Sequence, residues 1–243
     1  MRRIVLIALL PLIACSQPSQ GSGSAGTDQS SATGTSRIYD VAGFTGVTLR
    51  GSDDVDVRVG SGFSVRAEGP AKQLDLLRIT RDGNALKVDR KPNTGLHWGD
   101  SGHVKVFVTM PRIVAADLVG SGNLAIDHVE GQAFRLNSQA SGDVAIGTLG
   151  VDSADLSISG SGGLTAKGDV RRLAVALTGT GDVDAAGLKA AAATVSLLGT
   201  GNVRAAVTGP AQVSSTGTGD VDLGPGARCT TQKTGTGEVR CGG

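Results

Sequence analysis

A short phrase repeated at a nearly fixed interval restricts this chain to very few folds. It reads Gly, then Ser or Thr, then Gly, usually Asp or Asn, then Val or Leu. Copies begin at Gly120, Ala140, Gly160, Gly179, Gly199, Gly217 and Gly235, so successive starts are 20, 20, 19, 20, 18 and 18 residues apart. A period of this size marks an array whose units are too small to bury their own apolar faces and must stack on one another.

The flanks of the phrase say what each unit is. Four residues before it stand Ala116, Leu136, Leu156, Val175, Val195, Val213 and Thr231. Six after it stand Ile126, Ile146, Ala166, Ala185, Ala205, Leu223 and Cys241. Six and two before it, Val114, Phe134, Leu173, Leu118, Ile158 and Leu177 extend the apolar columns, and the residues between are mostly polar or Ala. Period-two alternation is a strand with one buried face. Each unit is therefore expected to hold a strand, a tight Gly corner and a second short strand. Stacked units place like columns on each other at about 4.8 Å. The expected fold is all-β: a single-stranded parallel β-helix, or β-solenoid, with coils of 18–20 residues, right-handed by the general crossover preference.

The N-terminal end is of a different kind. Arg2 and Arg3 precede the apolar run Ile4 to Ile13, and Leu12-Ile13-Ala14-Cys15 resembles a bacterial lipobox. Residues 1–14 are expected to be a lipoprotein signal peptide and Cys15 the lipidated residue. Residues 15–36 form a Gly/Ser-rich tether, reaching roughly 25 Å for about 20 residues of flexible coil. Ser16 after the cysteine points to the outer membrane. Residues 37–243 are the solenoid head: 37–110 are read as N-terminal coils and cap, and 111–243 as the repeat array. Val55 to Val59 and Val104 to Val108 alternate as strands, Asp82-Gly83 signals a hairpin, and Lys72 to Leu77 is the one helical candidate.

Phe44-Thr45-Gly46-Val47, the run Val104-Lys105-Val106-Phe107-Val108-Thr109-Met110-Pro111 and the array together resemble the putative auto-transporter adhesin, head GIN domain family, over roughly residues 38–225. The resemblance implies a β-helical fold on an exported, often lipidated bacterial protein, and it brings no catalytic residues with it.

Composition narrows the chemistry. Net charge is +1, so no basic field favours nucleic acid, and aromatics are 2%, which weakens any base-stacking or sugar-stacking reading. Cys229 and Cys241 fall in inward columns of the last unit and are expected to form a disulfide, with two buried thiols as the rival reading. Asp182, Asp184, Asp220 and Asp222 raise a calcium reading, but stacking would order Asp184, Arg204, Asp222 and Arg240 as an alternating ion ladder rather than a cation cage. The loop Lys91 to His103 holds His97, Trp98, Asp100 and His103; it reads first as a cap loop around a packed Trp, and second as a candidate binding loop or weak metal site through His97, Asp100 and His103. No metal and no cofactor are expected. The function expected is a lipid-anchored, non-catalytic envelope solenoid for binding, adhesion or scaffolding. Its partners would be the membrane and an envelope protein or polysaccharide; the alternative is an envelope polysaccharide-processing enzyme.

Overall fold

A computed structural model of the chain describes residues 35–92 and 102–242. In chain order β1 (Thr35–Tyr39), β2 (Gly46–Gly51), β3 (Asp54–Val59) and β4 (Ser64–Gly69) precede a short helix, α1 (Ala71–Leu76). β5 (Leu77–Asp82) and β6 (Ala85–Arg90) follow as a hairpin, then β7 (Lys105–Met110) and β8 (Ala115–Gly120). The array comprises β9 (Leu124–Ala140), β10 (Val144–Gly160), β11 (Leu164–Gly179), β12 (Val183–Gly199), β13 (Val203–Val207), β14 (Pro210–Gly217), β15 (Val221–Asp222), β16 (Arg228–Gly235) and β17 (Val239–Arg240). All seventeen strands join one hydrogen-bonded sheet that winds as a β-solenoid.

Within the array every neighbouring pair is parallel and in the register set by the phrase. Leu156 lies over Leu136, Val175 over Leu156, Val195 over Val175 and Val213 over Val195. All five are buried. The alternation of the sequence is thus the alternation of core and solvent. In the first unit the buried residue is Ile113, and Val114, placed in the column by spacing, is only half-buried.

Each coil also has a side that the columns beside the phrase do not reveal. Val129, Leu149, Leu188 and Val207 are buried between the second strand of one unit and the first of the next. The ladder runs through them, so β9, β10 and β12 are each 17 residues long. Register shifts at Ile146/Leu149, Thr165/Lys167 and Ala185/Lys189 break the strict period there, because the chain turns inside the strand. In these coils only the phrase interrupts it, whereas the last two coils also break between β13 and β14 and between β15 and β16.

The phrase is a corner whose residues each have one task. Its first glycine takes φ between 122° and 137° in Gly120, Gly160, Gly179, Gly199, Gly217 and Gly235, a region open chiefly to glycine. The second residue donates its N–H to the first residue of the coil before, as Thr200 does to the Gly179 oxygen at 3.0 Å. The third packs against the backbone one coil earlier. A Cβ there would lie 1.8–2.1 Å from a carbonyl oxygen. The fourth accepts, through its side chain, the N–H of the same position one coil later. Asp143 N–H donates to Asn123 Oδ1 (2.9 Å), Gly163 N–H to Asp143 Oδ1 (2.7 Å), Asn202 N–H to Asp182 Oδ1 (2.8 Å), Asp220 N–H to Asn202 Oδ1 (3.0 Å) and Glu238 N–H to Asp220 Oδ1 (2.8 Å).

The N-terminal strands join the stack out of sequence order. β2 lies between β6 and β8, and β3 between β7 and β9, all parallel. The chain first lays down an inner coil, then travels outward through β4, α1 and β5, returns in β6 and β7, and passes that coil to begin the array. β4 runs antiparallel to β7 and β1, and β5 antiparallel to β6, so antiparallel pairs close this end. The β5–β6 turn is the residue pair Gly83-Asn84, with Gly83 at φ 58°. The inner coil carries its own corner, Gly51-Ser52-Asp53-Asp54-Val55. Gly51 has φ 128°, and Asp54 Oδ1 accepts the Asn123 N–H at 3.0 Å, one place down the same ladder. Asp53 stands where the array has glycine. Its carboxylate is buried and paired with Arg90, which also bonds Gln73 of α1. This network ties cap to coil.

Candidate functional site

Seven parallel strands, β8, the C-terminal part of β9, the same part of β10, β11 and β12, then β14 and β16, present a continuous outer face. Alternation assigns its side chains. One column reads Ala115, Arg135, Asp155, Ala174, Thr194, Gln212 and Thr230. The next reads Asp117, Asn137, Ser157, Ala176, Ser196, Ser214 and Gln232. Hydroxyls, amides and carboxylates dominate, and no aromatic side chain stands in either column. At about 4.8 Å per strand, six spacings make a face about 29 Å long.

The face is hollowed along its length. A depression of about 560 Å³ lies over Ala174 and Ala176, with Arg135, Asp155 and Asn137 on one side and Thr194 and Ser196 on the other. A second, of about 330 Å³, shares Thr194 and Ser196 and continues over Gln212, Ser214 and Gln232. The charges at the first are engaged with neighbours. Arg135 Nη2 is 3.9 Å from Asp155 Oδ2, and Asn137 Nδ2 donates to Asp117 Oδ1 at 3.5 Å.

The other sequence candidates fare unevenly. Cys15, His97, Trp98 and Asp100 lie outside the described residues. His103 is exposed, with Nδ1 3.3 Å from the Ser52 carbonyl oxygen beside the first corner. Cys229 and Cys241 are joined as a disulfide, with Cα atoms 6.2 Å apart. The expected column stands in register, and its charges find partners chiefly within their own coils. Asp184, Arg204, Asp222 and Arg240 are in register, but Arg240 pairs within its own coil with Glu238 at 2.7 Å. Asp184 and Asp222 instead accept the backbone N–H two residues on, from Ala186 and Gly224. Local bonds of this kind form first because they need no alignment of long side chains across coils. Among the described residues no three His, Cys, Asp or Glu side chains converge as metal ligands, and no helix is long and apolar enough to cross a membrane.

Strong electrostatics sits in the cap rather than on the hollowed face. Asp89 is held below the ordinary carboxylate range, chiefly by a two-pronged bond from Arg78, at 2.7 and 2.6 Å, with Lys87 3.5 Å away. Arg90 is raised by its bond to Asp53. These groups hold β5 to β6 and the cap to the first coil. Two signals in the sequence could have found more: β11 places Ala174 and Ala176 between polar residues in both outer columns, and Gly51-Ser52-Asp53-Asp54-Val55 is a degenerate phrase.

Comparison with known proteins agrees with this geometry. The family model described as putative auto-transporter adhesin, head GIN domain, matches residues 43–224. The fold is similar to that of a putative adhesin from Bacteroides fragilis NCTC 9343, at 19% identity over 87% of this chain and 98% of that one, with a TM-score of 0.78. It is also similar to a putative lipid binding protein from Parabacteroides distasonis ATCC 8503, at 17% identity over 87% and 97% of the chains and a TM-score of 0.68. A putative adhesin from Parabacteroides merdae ATCC 43184 matches at 13% identity over 87% and 97%, with a TM-score of 0.63. At such identities the likeness is one of fold. No curated protein matches the chain.

Proposed function

This chain belongs to the putative auto-transporter adhesin, head GIN domain family, and from that premise we propose that it is a non-catalytic binding protein of the bacterial cell envelope, anchored through lipid on Cys15. The observation that carries the binding role is the hollowed outer face: a long, regular, polar surface on a rigid stack. Its backbone groups are consumed by the ladder, so its side chains are free to meet a partner. The similarity to adhesins and to a lipid binding protein supports the same class of role. A polysaccharide-processing enzyme would need two placed carboxylates, one acidic and one basic or nucleophilic. On this face Asp155 is neighboured by Arg135, which offsets its charge, and Asp117 accepts a bond from the Asn137 amide, so the two carboxylates have different partners and do not face one another as a pair.

Anchoring rests on Leu12-Ile13-Ala14-Cys15 and on the Gly/Ser-rich stretch behind it, which gives the head reach. Fractionation of cells making the Cys15→Ser chain tests it. The variant is expected in the soluble fraction and the unaltered chain with the membranes; a variant that stays with the membranes refutes anchoring by Cys15. Binding is tested with the released variant, labelled and mixed with isolated envelopes. Saturable retention is expected, and its absence refutes the binding role.

A further inference from the structure

The hollow on the outer face is built by an exception in its pattern. Along each outer column the neighbours of β11 are polar, Asp155 and Ser157 on one side and Thr194 and Ser196 on the other, while β11 itself contributes Ala174 and Ala176. Shorter than the side chains stacked on either side of them, the two methyl groups lie low in the larger depression, which polar side chains also line. A floor of this kind accepts the C–H face of a small saturated ring. The rim offers acceptors in pairs, at Asp155 and Asp117, an amide at Asn137, and hydroxyls that both donate and accept at Ser157, Thr194 and Ser196. Asp155 and Ser157, one strand from the two alanines, can meet the ring seated there, while Asn137 and Asp117, two and three strands away, can meet only its neighbours along a chain.

We propose that this groove binds an extended, uncharged glycan laid along the stacking axis, with one sugar ring seated on Ala174 and Ala176. The proposal names the ligand class for the binding role argued above and rests on it. Three further observations select this occupant. First, the groove is elongated: the second depression shares Thr194 and Ser196 with the first and prolongs it across β14 and β16. Its polar groups recur at the strand spacing of about 4.8 Å, close to the advance of one sugar in an extended chain, so a polymer stays in step with the coils. Second, Arg135 is neighboured by Asp155, and the Asp117 carboxylate adds a negative charge; the rim therefore does not attract a polyanion. Third, the larger depression lies within the sheet, from β8 to β12, where no strand edge is open for a peptide to add to.

The test uses the full chain carrying Cys15→Ser, with chitohexaose, cellohexaose, hexagalacturonate and the disaccharides of the first two as probes, followed by amide chemical shifts and calorimetry. At least one of the two uncharged hexasaccharides is expected to bind, at least tenfold more tightly than its disaccharide, with shifts centred on residues 174–176 and 194–196. Ala176→Trp, which fills the floor from an exposed position, is expected to weaken binding at least tenfold, and Ser157→Ala to weaken it several-fold. Leu198→Ala, in the next outward column, is expected to leave it unchanged. Absence of binding by both uncharged hexasaccharides overturns the proposal, as does preference for hexagalacturonate or equal affinity in the Ala176→Trp variant. Saturable retention on envelopes together with silence toward these sugars defeats the glycan alone; loss of both defeats the binding role.

Discussion

At the scale of single residues the glycines of this chain are of two kinds, and the fold constrains them unequally. In the third place of the phrase the missing Cβ is a contact. On Gly201 it would lie 1.8 Å from the Gly181 oxygen, a backbone atom of the corner in the coil before, not the end of a flexible side chain. Gly150 lies on the coil's other side, where a Cβ would meet the Val129 oxygen at an ordinary 3.8 Å. Gly201→Ala is therefore expected to cost several kcal/mol or to prevent folding, since overpacking against fixed backbone exceeds the roughly 1–3 kcal/mol of overpacked side chains. Gly150→Ala is expected to be neutral or to stabilise by about 0.4–1 kcal/mol through the unfolded chain. Thermal unfolding of the two variants decides; similar losses would mean that the third place is not set by close approach. Asp53 shows the same rule from its other side. It occupies the third place in the inner coil, where the cap, not another corner, is its neighbour, and its carboxylate meets Arg90.

At the scale of elements, the β5–β6 hairpin depends on a charge that the array does without. Asp89 is buried and held below its ordinary 3.8 by the Arg78 bond. A carboxyl group lowered on folding contributes stability that is fully present above its unfolded value and is lost as pH falls through its folded value. The cap is therefore expected to loosen in acid, at and below the ordinary carboxylate range. Asp89→Asn is expected to lower the melting temperature at pH 7, and the gap to the unaltered chain is expected to close as pH drops below about 4. A gap that stays constant with pH would show that the carboxylate is not the responsible group. The corner ladder is the opposite case. Asn123 and Asn202 alternate with aspartates, and each amide donates to the carboxylate one coil before it, at 2.9 Å in both. The two amides, and Gly163 between Asp143 and Asp182, keep aspartates from adjoining one another, and only at the last step does a carboxylate, Glu238, follow Asp220.

At the scale of the whole molecule, a solenoid has two ends that its repeats cannot finish. Exposed strand edges invite pairing with other chains unless they are covered or made polar. One end is covered by strands that leave the stacking order and pair antiparallel. In the last described coil, Thr231 and Lys233 occupy inward columns and are exposed. The disulfide from Cys229, beneath Ala211, to Cys241 holds this last coil closed. Closing a loop of about a dozen residues is worth about 3 kcal/mol in the chain-entropy model. Cys229→Ser with Cys241→Ser is expected to increase hydrogen exchange in β16 and β17 and leave β9 to β11 protected, because stability in such stacks is local. Unchanged exchange in β16 would mean that the coil is held by its ladder alone.

What the sequence determined by itself was the stack: its period, its corner, its inward columns and the pairing of its last cysteines. These are readable because a repeat states each physical requirement many times, so a glycine or valine demanded by stacking recurs at one spacing. The third side of each coil was not readable, because the chain bends within the strand there and the period of two lapses. The order of the N-terminal layers was not readable either. Alternation identifies β2, β3, β6 and β7 as strands, but nothing local says that β2 and β3 lie inside β6 and β7; only the return of the chain past the inner coil decides it. The corner at Gly51 escaped notice because its third residue is Asp53, whose partner Arg90 is far along the chain and reaches it only in the folded cap. The groove has the same origin. Ala174 and Ala176 are unexceptional in sequence and form a floor only when Asp155, Ser157, Thr194 and Ser196 are stacked on either side of them.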